Sequence, residues 1–251
     1  MKIGLCLSGG ALRAAAQIGV LRFLEEQGVE IGAVSGSSAG SMIALLIAAG
    51  WTSRQIEAFL ASLKKRQIFR LGRGPGIFTL EGVGARLREA LGPVEYRDLR
   101  IPCYSCVTDL QCAESRYLNG GDPIANVLAS SSLTPLFHPR QIGQNWYIDG
   151  GFSDNLPVRP LLDHALPVLS VNVNPLEAGI PDSFRSLLMR SLMIMLNNNI
   201  RSSIGLSRAH LEIQGVAAMH LFDFSKVDAA LEWGYRELKA SWPDLERELK
   251  K

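Results

Sequence analysis

The 251-residue chain is 47% hydrophobic and 20% charged, with a formal net charge of +2. Such a composition excludes a disordered chain, and so small a charge gives no overall pull toward nucleic acid. The longest strongly apolar run, Met42 to Gly50, is far below the ~20 residues that span a bilayer, and the start lacks the apolar core of a signal peptide; a cytoplasmic protein, free to touch a membrane peripherally, is expected.

Lys2 to Leu7 is an apolar run that ends at Ser8-Gly9-Gly10, the pattern of a buried strand entering a tight turn. Ala14, Ile18, Leu21 and Leu24 then fall at helical spacing up to Gly28. Ile31 to Ser35 predicts a second strand, and Gly36-Ser37-Ser38-Ala39-Gly40 turns into an apolar helix over Ser41 to Ala49. Strand, turn and helix thus recur twice in the first fifty residues, which predicts an α/β fold with a largely parallel sheet. A helix to about Leu63 precedes a basic loop from Lys64 to Gly76, and Thr79 can cap a helix ending at Leu91-Gly92. Strands are expected at Pro102 to Thr108, Glu114 to Leu118, Trp146 to Ile148, Val168 to Val173 and Val216 to Leu221. Helices are expected at Asp122 to Ser131, Ser183 to about Leu211 (one or two), and Val227 to Leu238. With strands spread along the whole chain, one sheet and one domain over residues 1–251 is the economical expectation.

Three short motifs carry chemistry. Gly36-x-Ser38-x-Gly40 lies between a strand and a helix, where a sharp turn pushes a hydroxyl out of the sheet and the helix start offers amides. On the pattern alone it is equally an ordinary serine-capped turn. Ser8-Gly9-Gly10-Ala11-Leu12-Arg13 can aim backbone N–H groups at an anion. A dinucleotide fingerprint would need glycine at positions 11 and 14, and both are alanine, so an oxyanion hole beside Ser38 is the alternative to a plain turn. Asp149-Gly150-Gly151 puts a carboxylate at a strand end with two small residues behind it, although Asp-Gly is first a turn signal.

Together, GLCLSGGALRAAAQIGVLRFLEEQG, GSSAG and YIDGGFSDNLPV resemble the patatin-like phospholipase family in order and spacing. The likeness continues through VTDL at 107–110, ASSSLTPLF at 129–137 and LFDFS at 221–225. The resemblance implies a three-layer α/β/α sandwich, a lipid acyl ester as substrate, Ser38 as nucleophile and Asp149 as its base. It also implies an oxyanion hole from Gly9, Gly10 and the amide of Ala11, with Arg13 near it, and supporting glycines at 36, 40, 150 and 151. Alanine at 11 and 14 departs from the family's usual glycine. If position 11 needs a positive φ, alanine there costs ~1 kcal/mol. A catalytically weak, regulatory or lipid-binding member is the second reading that this departure suggests.

Of the four histidines, at 138, 164, 210 and 220, the last three follow Asp149 and leave a Ser–Asp–His order formally open, but an α/β-hydrolase of that kind builds several strands before its nucleophile and Ser38 follows only the second. Cys103-x-x-Cys106 sits in a predicted strand, where residues three apart face opposite ways, so neither a metal nor a cofactor is expected. Lys64, Lys65, Arg66, Arg70 and Arg73 form an acid-free cluster, read either as a solvated loop or as a lip that meets anionic head groups while Ile68, Phe69 and Leu71 insert. Phe184, Leu187, Leu188, Leu192, Ile194 and Met195, interspersed with Arg185 and Arg190, read first as a core or dimer helix and second as a membrane-surface helix. Oligomeric state is left open.

Overall fold

Along β1 (Lys2–Leu7), Ile3, Leu5 and Leu7 pack on one side and Cys6 on the other, and all four are buried, so this strand is covered on both faces. A computed structural model, which describes residues 1–176 and 179–251, places it inside an eight-stranded sheet. The order is β10 (Ala209–Glu212), β9 (Val168–Asn172), β1, β2 (Glu30–Ser37), β5 (Cys103–Asp109), β8 (Asn145–Asp149) and β7 (Arg140–Ile142). Pairings from β10 through β5 are parallel, whereas β8, β7 and β6 (Ser115–Leu118) pair antiparallel. Two further short strands, β3 (Arg70–Leu71) and β4 (Phe78–Thr79), pair with each other, and Phe78 forms an isolated parallel bridge to Phe137.

One face of the sheet carries α1 (Ala15–Glu26), α2 (Ala39–Ala48), α6 (Pro123–Ser130) and α8 (Val227–Leu249), with α3 (Ser53–Ser62) and α5 (Glu81–Leu91) behind them in the same apolar cluster. The other face is covered by the 3₁₀ segment Arg159–His164 and by α7 (Phe184–Ile204), through Leu161, Ile200 and Ile204. This is the expected three-layer sandwich. Burying each large apolar side chain is worth about 1.5–3 kcal/mol, so Ile3, Leu5, Leu7, Ile43 and Leu45 dominate the central contact. Helices α1 and α8 cross with backbones touching: a Cβ on Gly19 would run into the Leu231 carbonyl oxygen, and one on Gly234 into that of Ala16.

Four departures from the sequence expectations have physical causes. Residues 209–212 continue the sheet as β10 rather than a helix, with Ala209 and Leu211 buried and His210 and Glu212 less so, too short an alternation to stand out. The apolar stretch Val216 to Leu221 is not a strand: Gln214–Val216 is a 3₁₀ turn, and the carbonyls of Ala217, Met219 and Leu221 accept from residues 12 and 13 instead of from a ladder. Edge strand β7 was unforeseen because Arg-Gln-Ile carries almost no apolar pattern. Helix α8 runs on through Pro243 to Leu249, since burial of Trp242 and Leu249 offsets the lost hydrogen bond. The basic segment also folds locally, as α4 (Lys65–Ile68) followed by β3.

Candidate active site

Strand β5 explains why two distant motifs meet. Its first half pairs with β2 in parallel, ending with Ser37 opposite Cys106; its second half pairs with β8 antiparallel, ending with Asp149 opposite Val107. The C-terminal ends of β2 and β8 therefore converge head-on at neighbouring positions along β5. The residues next to that junction are Ser38 and Asp149, and Ser38 Oγ donates a 2.7 Å hydrogen bond to Asp149 Oδ2.

Ser38 has φ 51° and ψ −127°, a strained conformation at the strand-to-helix turn. The elbow is tight enough to demand its glycines. A Cβ on Gly36 would collide with the backbone of Gly40, and one on Gly40 would lie 2.6 Å from the carbonyl oxygen of Leu7. Ser38 N–H donates to Ser130 Oγ at 2.8 Å, and that hydroxyl donates onward to the Cys106 carbonyl at 2.5 Å, which ties the elbow to α6 and β5.

Asp149 is 3% exposed. Its Oδ1 accepts from Gly151 N–H at 2.8 Å, its amide donates to Ser132 O, and its carbonyl accepts from Thr108 Oγ1. Gly150 abuts the Cys106 carbonyl, with no room for a side chain. Burial pushes the Asp149 carboxyl up to about 6, opposed by the hydrogen bonds from Ser38 and Gly151. A carboxylate poised there is a better proton acceptor near neutral pH than an ordinary aspartate.

The glycine-rich turn lies on the other side of Ser38. Gly9 contributes space rather than a donor, which corrects its expected place in the hole: its N–H is donated to Asn155 O at 3.2 Å, and a Cβ there would lie 2.9 Å from Ser38 Cβ. The amides of Gly10 and Ala11 have no partner among the described residues, nor do those of Ala39 and Gly40 at the start of α2. Ala11 has φ 48°, so the alanine does adopt the left-handed conformation. Ala14 sits at φ −60° in a 3₁₀ turn and has no such cost. Arg13 is turned away from the hydroxyl: its Nε donates to Met219 O at 2.7 Å and its Nη2 to Ala217 O at 3.1 Å, so it clamps the turn from below.

Several supporting residues had no signal in the sequence. Asn174 Nδ2 donates to Gly9 O at 2.6 Å, and Asn197 Nδ2 holds the Asn174 carbonyl. Asn199 on α7 holds the stretch that follows Asp149, accepting from Asn155 N–H at 2.9 Å and donating to Gly151 O at 2.8 Å. Asp154, also buried, is held by Tyr117 and Ser203.

Gly10, Ala11, Ser38, Ala39 and Asp149 open onto a cavity of about 320 Å³ with mostly apolar walls, supplied by α2, α3, α6, α7 and the start of α8. Each histidine is committed elsewhere or exposed: His138 to Gly76 N–H, His164 to Tyr104 OH, His210 to Ser170 Oγ, while His220 faces solvent. Cys103 packs in the main core and Cys106 on the opposite side of β5, where burial raises both thiols; among the described residues no cluster of three His, Cys, Asp or Glu side chains is arranged for a metal. Lys64, Lys65, Arg66, Arg70 and Arg73 are all exposed and away from the hydroxyl. Ile68 and Phe69, expected to insert outward, instead pack inward: Ile68 lines the cavity, and the Phe69 ring meets Phe78, Phe137 and Phe222. Only Leu71 of that trio projects, 77% exposed.

A strained serine between a parallel strand and a helix, meeting a buried carboxylate across a shared strand, sets this α/β protein apart from nucleotide-binding sheets. The chain belongs to the patatin-like phospholipase family, whose model matches residues 5–162. An uncharacterized NTE family protein of Mycobacterium bovis is 31% identical over 183 residues, covering 71% of this chain and 51% of that protein. A lysophospholipase of Mycosarcoma maydis is 27% identical over 192 residues, covering 73% of this chain and 10% of that one. The chain thus spans about half the length of the mycobacterial relative, or less of the fungal one. Among solved structures, VipD from Legionella pneumophila superposes with a TM-score of 0.67 at 14% identity, over 97% of this chain and 67% of that one. ExoU of Pseudomonas aeruginosa, in complex with SpcU, gives 0.50 at 15% identity, over 99% of this chain and 53% of its own. At such identities these two speak for the fold alone.

Proposed function

We propose that this chain hydrolyses a lipid acyl ester by a Ser38–Asp149 dyad. The 2.7 Å hydrogen bond between the two, at the floor of an apolar cavity, is the observation that carries the reading. Asp149 takes the Ser38 proton as Oγ attacks the ester carbonyl carbon. The carbonyl π electrons move onto oxygen, and the oxyanion faces the unpartnered amides of Gly10 and Ala11, where one donor is worth about 3 kcal/mol. Collapse expels the alkoxide, which takes the proton from Asp149 and leaves as the alcohol. Water then gives a proton to Asp149 and attacks the acyl-enzyme; the acid departs and Ser38 recovers its proton. The acyl chain occupies the apolar cavity, and the basic cluster from Lys64 to Arg73 meets anionic head groups peripherally, in keeping with there being no helix among the described residues long and apolar enough to cross a membrane.

Fluorophosphonate labelling tests the nucleophile. Wild type is expected to become labelled at Ser38 and to lose turnover of p-nitrophenyl butyrate, and Ser38→Ala to show neither label nor turnover. Labelling and turnover that persist in Ser38→Ala would remove Ser38 from the mechanism.

A further inference from the structure

Helix α7 has two unlike faces. Inward, Leu192 and Leu196 wall the cavity above Ser38, while Met193, Asn197 and Ile200 are buried. Outward, Phe184, Leu187 and Leu188, and two turns on from the leucines Ile194 and Met195, share one helical face with Ser191 between the two groups, and all are exposed, Phe184 at 83%. Ile180, just ahead of the helix, is 96% exposed. Farther along the same stripe the outward residues become Asn198, Arg201 and Ser202. The apolar stripe is therefore confined to the half of α7 that walls the cavity. Single exposed leucines are ordinary, but a stripe along one helical face marks a surface that something covers.

Its neighbours indicate what. Phe222 packs on Met193 and Leu196 of α7, and its ring meets Phe69 of the basic segment at 5.2 Å between centroids. Beside it, Phe224 carries the Lys65 ammonium 4.8 Å from its ring centre. Leu192 and Leu196 of α7 line the same cavity as Leu63 and Ile68, the residues that the cations Lys64, Lys65, Arg66, Arg70 and Arg73 flank or follow in the chain. All five are exposed, and none pairs with a carboxylate among the described residues. An apolar stripe on one wall of the cavity and unpaired cations on another complement an anionic lipid surface, which offers acyl chains to the first and phosphates to the second. A two-fold pairing of this chain through the stripe would leave both sets of cations without counter-charges.

We infer that the outward face of the first half of α7 docks on an anionic lipid surface, with the basic segment as its polar flank, so that the cavity wall and the lipid contact are two sides of one helix. The inference rests on the hydrolase reading. It is tested by sedimentation with vesicles of phosphatidylcholine alone and of equal parts phosphatidylcholine and phosphatidylglycerol. Wild type is expected to bind the mixed vesicles. Leu187→Glu with Leu188→Glu is expected to lose at least about tenfold in that binding, since each leucine's burial is worth about a factor of ten or more. Leu188→Trp is expected to bind more tightly, and neither variant lines the cavity, so turnover of soluble p-nitrophenyl butyrate serves as the folding readout. Absence of wild-type binding, equal binding by the double glutamate variant, or a wild-type dimer that this variant dissociates would each overturn the inference. If wild type binds through α7 but turns over no ester, the hydrolase reading fails while the docking surface stands.

Discussion

At the floor of the cavity a single methyl group has nowhere to go, whereas on the outward face of α7 a whole aromatic ring, that of Phe184, stands in solvent. Cβ atoms on Gly36, Gly40 or Gly150 would strike backbone, and the Ser38 and Asp149 side chains are each fixed by partners from other strands. Phe184 and Ile180 have no such neighbours. The floor holds a strained φ at Ser38 and a raised carboxyl at Asp149 because dense packing and hydrogen bonds over-determine both. The α7 face holds apolar groups outward, which an isolated chain in water gains nothing from. The contrast teaches that this molecule keeps its chemistry rigid and leaves its wetting surface unfinished.

The largest expected effect lies at the floor. Asp149→Asn should lower kcat by roughly 10³–10⁴-fold through loss of the base, measured on p-nitrophenyl butyrate, while alanine at each of the four histidines leaves most activity. In wild type, kcat should fall as pH drops through about 6, because the protonated carboxyl no longer accepts the serine proton. Stability runs the other way. The carboxyl's affinity for a proton is higher in the fold than in the unfolded chain, so its contribution to stability is full below about 3.9 and is lost as pH rises through about 6. Asp149→Asn should therefore melt higher than wild type at pH 8, by the equivalent of about 1–3 kcal/mol, with the gap closing toward pH 4.

Next comes the link between the floor and α7. Asn199→Ala frees Asn155 N–H and Gly151 O together and should cost about 10–100-fold in kcat with little change in KM, because it loosens the stretch behind Asp149 and Asn199 does not itself line the cavity. An equal rise in KM would show that α7 shapes binding instead. On the basic segment, Lys64→Glu, Lys65→Glu and Arg66→Glu combined should abolish the preference for anionic over neutral vesicles, a change of at least about tenfold at low salt, and spare soluble ester turnover. Equal sedimentation of wild type and this variant would reduce the segment to a solvated surface. The smallest effect is expected at Ala11→Gly. Relief of the left-handed alanine and the added freedom of the unfolded chain nearly cancel, so stability should move by less than about 1 kcal/mol and kcat should stay level or rise.

Much of this was legible in the sequence. Two strand–turn–helix repeats and three ordered motifs sufficed for the parallel core, the elbow and the carboxylate, because glycines at tight turns and apolar strands leave strong local marks. The asparagines that hold the turns were not legible. Asn155, Asn174 and Asn199 act through hydrogen bonds to backbone groups far away in sequence, and no spacing betrays such contacts. Nor was the diversion of the Gly9 N–H to Asn155, or the inward turn of Ile68 and Phe69, which follows from a five-phenylalanine cluster assembled from four stretches of chain. The stretch at 216–221 misled because apolar residues there are buried without joining the sheet, their carbonyls going to Leu12 and Arg13.

Those carbonyls have a consequence for biosynthesis. The turn at residues 8–13 is fastened by Ala217, Met219 and Leu221, and the helix that follows it by backbone contact at Gly234, all more than two hundred residues downstream. On the ribosome, Ser38 and Asp149 emerge and can meet long before that fastening is synthesised. The nascent chain thus carries Ser38 beside an unfastened turn until residues 217–234 have followed it out of the exit tunnel. Ribosome-arrested chains ending before residue 217 should therefore resist fluorophosphonate, and those extended past residue 249 and clear of the tunnel should react.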